Sequence, residues 1–94
     1  MINTFLKQKT PIEINVGIAL RIRNTRKRLG ISQLKLSEIS GVSLGSLKRF
    51  ELTGEVSLFS LTKIAIALRC EDELDNLFTN QTFTSIQEII DGQE

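Results

Sequence analysis

Residues 32–54, SQLKLSEISGVSLGSLKRFELTG from Ser32 to Gly54, decide how the rest of the chain is organised. They read as two short helices joined by a sharp turn. Ser32 is a good N-cap, because its hydroxyl can accept from an otherwise unpaired N–H of the first turn. Leu36 and Ile39 then fall three apart on one face. Gly41 ends that helix where a left-handed residue is wanted, a conformation that glycine adopts without steric cost. Val42 is placed to plug the corner, and Ser43 to cap the next helix. In that second helix Leu47 and Phe50 point inward at i, i+3, while Leu44, Gly45, Lys48 and Arg49 gather on the other side. The helix has an apolar back and a small, basic front.

A front of this kind suits a DNA major groove. Side chains near the helix start must be small enough for the backbone to approach, and donors must follow one turn later. The pattern Gln33, Leu36, Gly41-Val42-Ser43, Leu47, Phe50-Glu51 resembles the helix-turn-helix of the phage-repressor and Cro-like (XRE-type) bacterial regulators. The resemblance covers roughly Gly17 to Leu68. It implies an all-α, five-helix lambda-repressor-like domain with the helix-turn-helix at helices 2 and 3. It also implies a transcriptional regulator, most simply a repressor, that binds double-stranded DNA at a palindromic operator as a homodimer.

Residue roles follow from the same resemblance. Ser32 and Gln33, at the start of helix 2, would hold phosphates. Ser43, Leu44, Gly45 and Lys48 would face base edges, Leu44 only as an apolar contact to a thymine methyl. Arg49 would reach a guanine or a phosphate, and Ser46 a phosphate. Arg26, at the edge of the inward stripe of helix 1, matches the arginine that pairs in the family with the glutamate closing the reading helix, here Glu51. A buried pair of this kind fixes the angle of helix 3 more than it stabilises the fold. Two departures from the family stand out. Gly54 is the third residue after Glu51 rather than the second, and Glu55 stands where a basic residue is usual.

Composition sets the outer bounds. With 94 residues the chain is one domain, small enough that its own core is thin. Forty per cent hydrophobic residues and a single proline favour a folded helical chain over disorder. One cysteine, Cys70, and no histidine exclude an internal disulfide and an ordinary zinc site, and leave no imidazole base. No paired acid–base set, nucleotide loop or metal set points to an enzyme, and no cofactor is called for. The longest apolar run, Ile64 to Leu68, is far too short to span a membrane, so a cytoplasmic location is expected. Net charge is only +1, but it is segregated. Residues 1–49 carry ten lysines and arginines against two acids, whereas residues 50–94 carry two against nine. The basic half contains the reading helix, and an acidic half would be repelled by phosphates.

Along the chain, residues 1–10 read as an arm without a clear period, 11–79 as the DNA-binding domain and 80–94 as a tail. Thr10-Pro11-Ile12-Glu13 is a capping box with proline at the first helical position. Helix 1 therefore starts as early as Pro11, with Gly17 as a weak point and Ile18, Ile22, Thr25 and Leu29 inward. Ser57 caps a fourth helix, Leu58 to Arg69, that buries Leu58, Leu61, Ile64, Ala65 and Leu68. Phe59, Ile66 and Cys70 form a second apolar stripe on the opposite side. Glu71-Asp72-Glu73 suits the start of a fifth helix with Leu74, Leu77 and Phe78 inward. Ser85 to Glu88 is another capping box, leading Ile86, Ile89 and Ile90 into a short amphipathic turn that must dock to hold its shape. Phe59, Ile66, Ile86, Ile89 and Ile90 are thus the candidate dimer or partner surface. The segment SLGSLKRFELTGE and the helix after it are also similar to the antitoxin-type (HipB-like) repressors that accompany HipA-like kinases. That similarity keeps a second function open, a protein-binding module that holds a kinase and regulates its own operon.

Overall fold

The computed structural model describes residues 8–80 and 90–91, and these are all-α. Five helices follow one another among residues 8–80: α1 Pro11–Arg28, α2 Gln33–Ser40, α3 Leu44–Thr53, α4 Leu58–Ala67 and α5 Glu71–Asp75. Ile90 and Asp91 are also helical, with Ile90 exposed, whereas Ile86 and Ile89 lie outside the described residues.

Local polar chemistry starts each of the first four helices. Thr10 Oγ1 accepts from Glu13 N–H at 3.1 Å, and Glu13 Oε1 accepts from Thr10 N–H at 2.8 Å, closing the capping box. Ser32, Ser43 and Ser57 cap α2, α3 and α4 by accepting from Lys35, Ser46 and Ser60. Gly17 does not interrupt α1, which runs through it. A single glycine costs a helix only about 1 kcal/mol, less than seventeen other helical residues supply.

The core is small and comes from every corner of the helix-turn-helix. Ala19, Leu36, Val42, Leu47, Phe50, Ile64 and Leu68 form one buried cluster. α1 packs on α3, α2 on both α3 and α4, and α5 on α4. Ala19 is the residue of α1 within this core, Ile18 and Ile22 pack against it as expected, and Arg26 is buried on the same helix. Thr25 is only half-buried, its hydroxyl donating to the Arg21 carbonyl at 3.0 Å.

Several side chains expected inside lie outside, each for a reason at a helix end. Leu29 is exposed because Gly30, at φ 72°, turns the chain so that Ile31 reaches the core instead. Ile39 is exposed, and Ser40 is buried in its place. The Ser40 hydroxyl accepts from Val42 N–H at 3.1 Å, and Ser37 donates to the Val42 carbonyl at 2.7 Å, which staples the corner. Leu58 opens α4 beyond the core and is 70% exposed. α4 stops at Ala67, two residues before the expected Arg69. Arg69 then turns the chain at φ 63°, so Cys70 packs on the core rather than joining the outer stripe of Phe59 and Ile66. Burial, and then the Glu73 and Glu71 charges, push the Cys70 thiol up. α5 ends at Asp75, before Leu77 and Phe78 can turn inward, and both are exposed.

Two glycines hold α3 at its ends, and they differ in one testable way. Gly41 and Gly54 both sit in the left-handed region, at φ 77° and 80°. A Cβ on Gly41 would meet only the flexible Lys63 side chain at 3.5 Å, whereas a Cβ on Gly54 would meet the Asn15 carbonyl carbon at 2.7 Å. Gly41→Ala should therefore cost about 1–2 kcal/mol, the left-handed penalty alone. Gly54→Ala should cost clearly more, because α1 and α3 must part. Urea midpoints of the two variants check the order.

Candidate nucleic-acid interface

The exposed side of α3 assembles from its N-terminus outward. Ser43, Gly45, Ser46, Lys48 and Arg49 are exposed and Leu44 is half-buried, while Leu47 and Phe50 fill the core behind them. Nothing lies within 4 Å of where a Cβ on Gly45 would stand, so the helix presents bare backbone there. Ser43 caps the helix through Ser46 N–H at 3.2 Å and donates to Ser46 Oγ at 2.9 Å. The positive end of α3 and the free hydroxyl lone pairs therefore lie together at the tip.

Behind this tip, one buried cluster sets the angle of α3. Arg26 Nε donates to Glu51 Oε2 at 2.7 Å and Nη2 to Glu51 Oε1 at 2.9 Å, a bidentate pair. The two side chains are only 8% and 3% exposed. Arg26 Nη1 also donates to the Ile31 carbonyl at 2.8 Å, which ties the α1–α2 turn to the pair. Burial alone would raise the Glu51 carboxyl. Hydrogen bonds from Arg26 and Gln33, with the Arg26 and Arg23 charges, outweigh it and hold the group below the usual carboxylate range.

Gln33 has a partner that its sequence position does not suggest. Its Nε2 donates to Glu51 Oε1 at 3.0 Å, so α2 joins the lock between α1 and α3. Beside it opens a cleft of about 540 Å³, lined by Arg23, Arg26, Ser32, Gln33, Lys48, Glu51 and Leu52. Ser32, Gln33 and Lys48 thus share one concavity with Arg23, which lies on the α1 wall. The signal for Arg23 was present in the sequence, three residues before Arg26 and hence on the same side of the helix. Arg49 lies away from this cleft and is engaged by Glu55 across the α3–α4 turn.

Phe59 and Ile66 lie on α4 and do not line this cleft. Phe59 is 76% exposed, and the Lys63 ammonium stands 5.5 Å from its ring centroid. The same ammonium donates to the Gly41 carbonyl at 3.3 Å, closing the C-terminus of α2. No helix among the described residues is long and apolar enough to cross a membrane.

A protein-family model described as helix-turn-helix matches residues 22–74, from the middle of α1 into α5. No curated protein and no solved structure matches the chain.

Proposed function

The chain belongs to the phage-repressor and Cro-like helix-turn-helix family, and from that membership we propose that it is a repressor binding a palindromic operator as a homodimer. The family carries the coarser statement, a DNA-binding transcriptional regulator with a lambda-repressor-like all-α fold. One observation supports the finer one. The front of α3 is bare at Gly45 and carries donors at Ser46, Lys48 and Arg49, and it is braced from behind by the buried Arg26–Glu51–Gln33 cluster. A helix braced in this way enters a major groove without a further ordering cost.

In this reading Ser43, Gly45 and Lys48 approach base edges, and Leu44 touches a thymine methyl. Ser32, Ser46 and Arg23 hold phosphates, and Arg49 takes a guanine or a phosphate. Gln33 orients Glu51 through its amide nitrogen, which leaves its Oε1 free to accept. The segregation of charge between the two halves of the chain supports one DNA face and an acidic remainder turned from it.

Selection of bound sequences from a random duplex pool tests the proposal. The expected product is a near-palindrome with half-sites about 34–36 Å apart, bound by a species that sediments at twice the chain mass. Selected sequences without two-fold symmetry, bound by a monomer, retire the dimer. A second reading has its own support in Phe59 and Ile66, two exposed apolar side chains seven apart on α4. There the domain holds a protein partner such as a HipA-like kinase and regulates its own operon. A defined 1:1 complex with such a kinase, lost on replacing Phe59 and Ile66 by serine, would favour it.

A further inference from the structure

The turn that follows the reading helix carries an acid where the DNA face is otherwise basic. Thr53 Oγ1 donates to the Arg49 carbonyl at 2.7 Å and accepts from Glu55 N–H at 3.2 Å. Gly54, between Thr53 and Glu55, is left-handed and packed against the backbone of Asn15 and Val16. The backbone of Glu55 is thus pinned from both the helix and α1. Its carboxylate accepts from Arg49 Nη2, and the two side chains are 68% and 60% exposed.

An ion pair this exposed contributes little to folding. Its effect falls on the reading helix instead. α3 carries two cations, Lys48 and Arg49, and only Arg49 has an ion-pair partner among the described residues. We infer that Glu55 sets the affinity of the protein for DNA of any sequence, by competing with phosphate for the Arg49 guanidinium. The inference rests on the DNA reading proposed above and adds to it an affinity-setting residue outside the helix. A phosphate reaching Arg49 must displace a carboxylate that is already there. Phosphate contacts carry no sequence information, so a phosphate contact made in both the specific and the non-specific complex is weakened by the same factor in each. Glu55 therefore lowers the absolute affinity for operator and bulk DNA together and sets the salt range over which either is held.

The test compares wild type, Glu55→Gln, Arg49→Ala and the double variant on the selected duplex and a scrambled one across a salt series. Glu55→Gln should bind the scrambled duplex about three- to tenfold more tightly at low salt, with a salt slope steeper by about one unit. Its gain on the selected duplex should be of the same size. In the Arg49→Ala background the gain should vanish, because the residue through which Glu55 acts is gone. Thermal melting of Glu55→Gln should match wild type, which separates this role from a structural one. An equal gain with and without Arg49 overturns the inference, since Glu55 then acts by plain repulsion of phosphates. No gain on either duplex also overturns it, and leaves the DNA reading standing if wild type still discriminates. Wild type that binds neither duplex removes the DNA reading first and this inference with it.

Discussion

Glu51→Ala is expected to destabilise the fold by about 3–5 kcal/mol, because the Arg26 guanidinium is left buried without its carboxylate. The pair is bidentate, at 2.7 and 2.9 Å, and its side chains are almost wholly enclosed. Arg26→Ala should cost at least as much, since the Ile31 carbonyl also loses its donor. Removing both partners should cost less than the two single losses together, and a double-mutant cycle by chemical denaturation measures the difference. Simple additivity would mean that water screens the pair.

The same carboxylate gives the fold a pH dependence of known sign. Its folded value lies below the ordinary 4.5, because the Arg26 and Gln33 hydrogen bonds and the nearby arginine charges outweigh burial. A depressed carboxylate contributes stability that is complete above the unfolded value and is lost as pH falls through the folded one. Wild type should therefore lose this contribution only below about pH 4.5. The stability gap between wild type and Glu51→Gln should close over the same acid range. Denaturant midpoints from pH 7 down to pH 3 check it, and a gap that stays constant would place the folded value elsewhere.

The parts of this molecule that a sequence reveals are those decided within one turn of chain. Thr10, Ser32, Ser43 and Ser57 could each be assigned as caps because a hydroxyl and the N–H it satisfies are three residues apart. Gly41 and Val42 marked the corner for the same local reason. Register at the far ends of helices was not legible. Leu29, Leu58, Leu77 and Phe78 all fit an inward stripe, yet each lies where a helix starts or has just stopped, and one turn of the backbone puts it outside. Cys70 moved the other way, because Arg69 adopts a left-handed conformation that no residue preference predicts. Arg26 and Glu51 are 25 positions apart, and no local rule joins them, so only the family resemblance suggested the pair. Nothing of that kind suggested the Gln33 bond to Glu51. The Arg49–Glu55 pair did have a signal, opposite charges on either side of a glycine turn.

Gly45→Leu should separate folding from DNA reading more sharply than any other single change. A Cβ at Gly45 meets nothing within 4 Å, so the fold has room for the larger side chain. Leucine is also the better helix former by up to about 1 kcal/mol, so the variant should melt no lower than wild type. In a major groove the same side chain would stand between the helix backbone and the base edges. Specific affinity should then drop to the non-specific level, a loss of about a thousandfold or more. Lys48→Ala tests the neighbouring position in finer steps. A base contact there should cost about 1–3 kcal/mol on the selected duplex and relax preference at one position. A phosphate contact should instead weaken every sequence alike and flatten the salt slope by about one unit. Binding of both variants to selected and scrambled duplexes, alongside melting curves, supplies the measurement. If Gly45→Leu discriminates the two duplexes as well as wild type does, α3 does not enter the groove by its N-terminal face. The DNA surface would then have to be sought on the Arg23 side of the cleft.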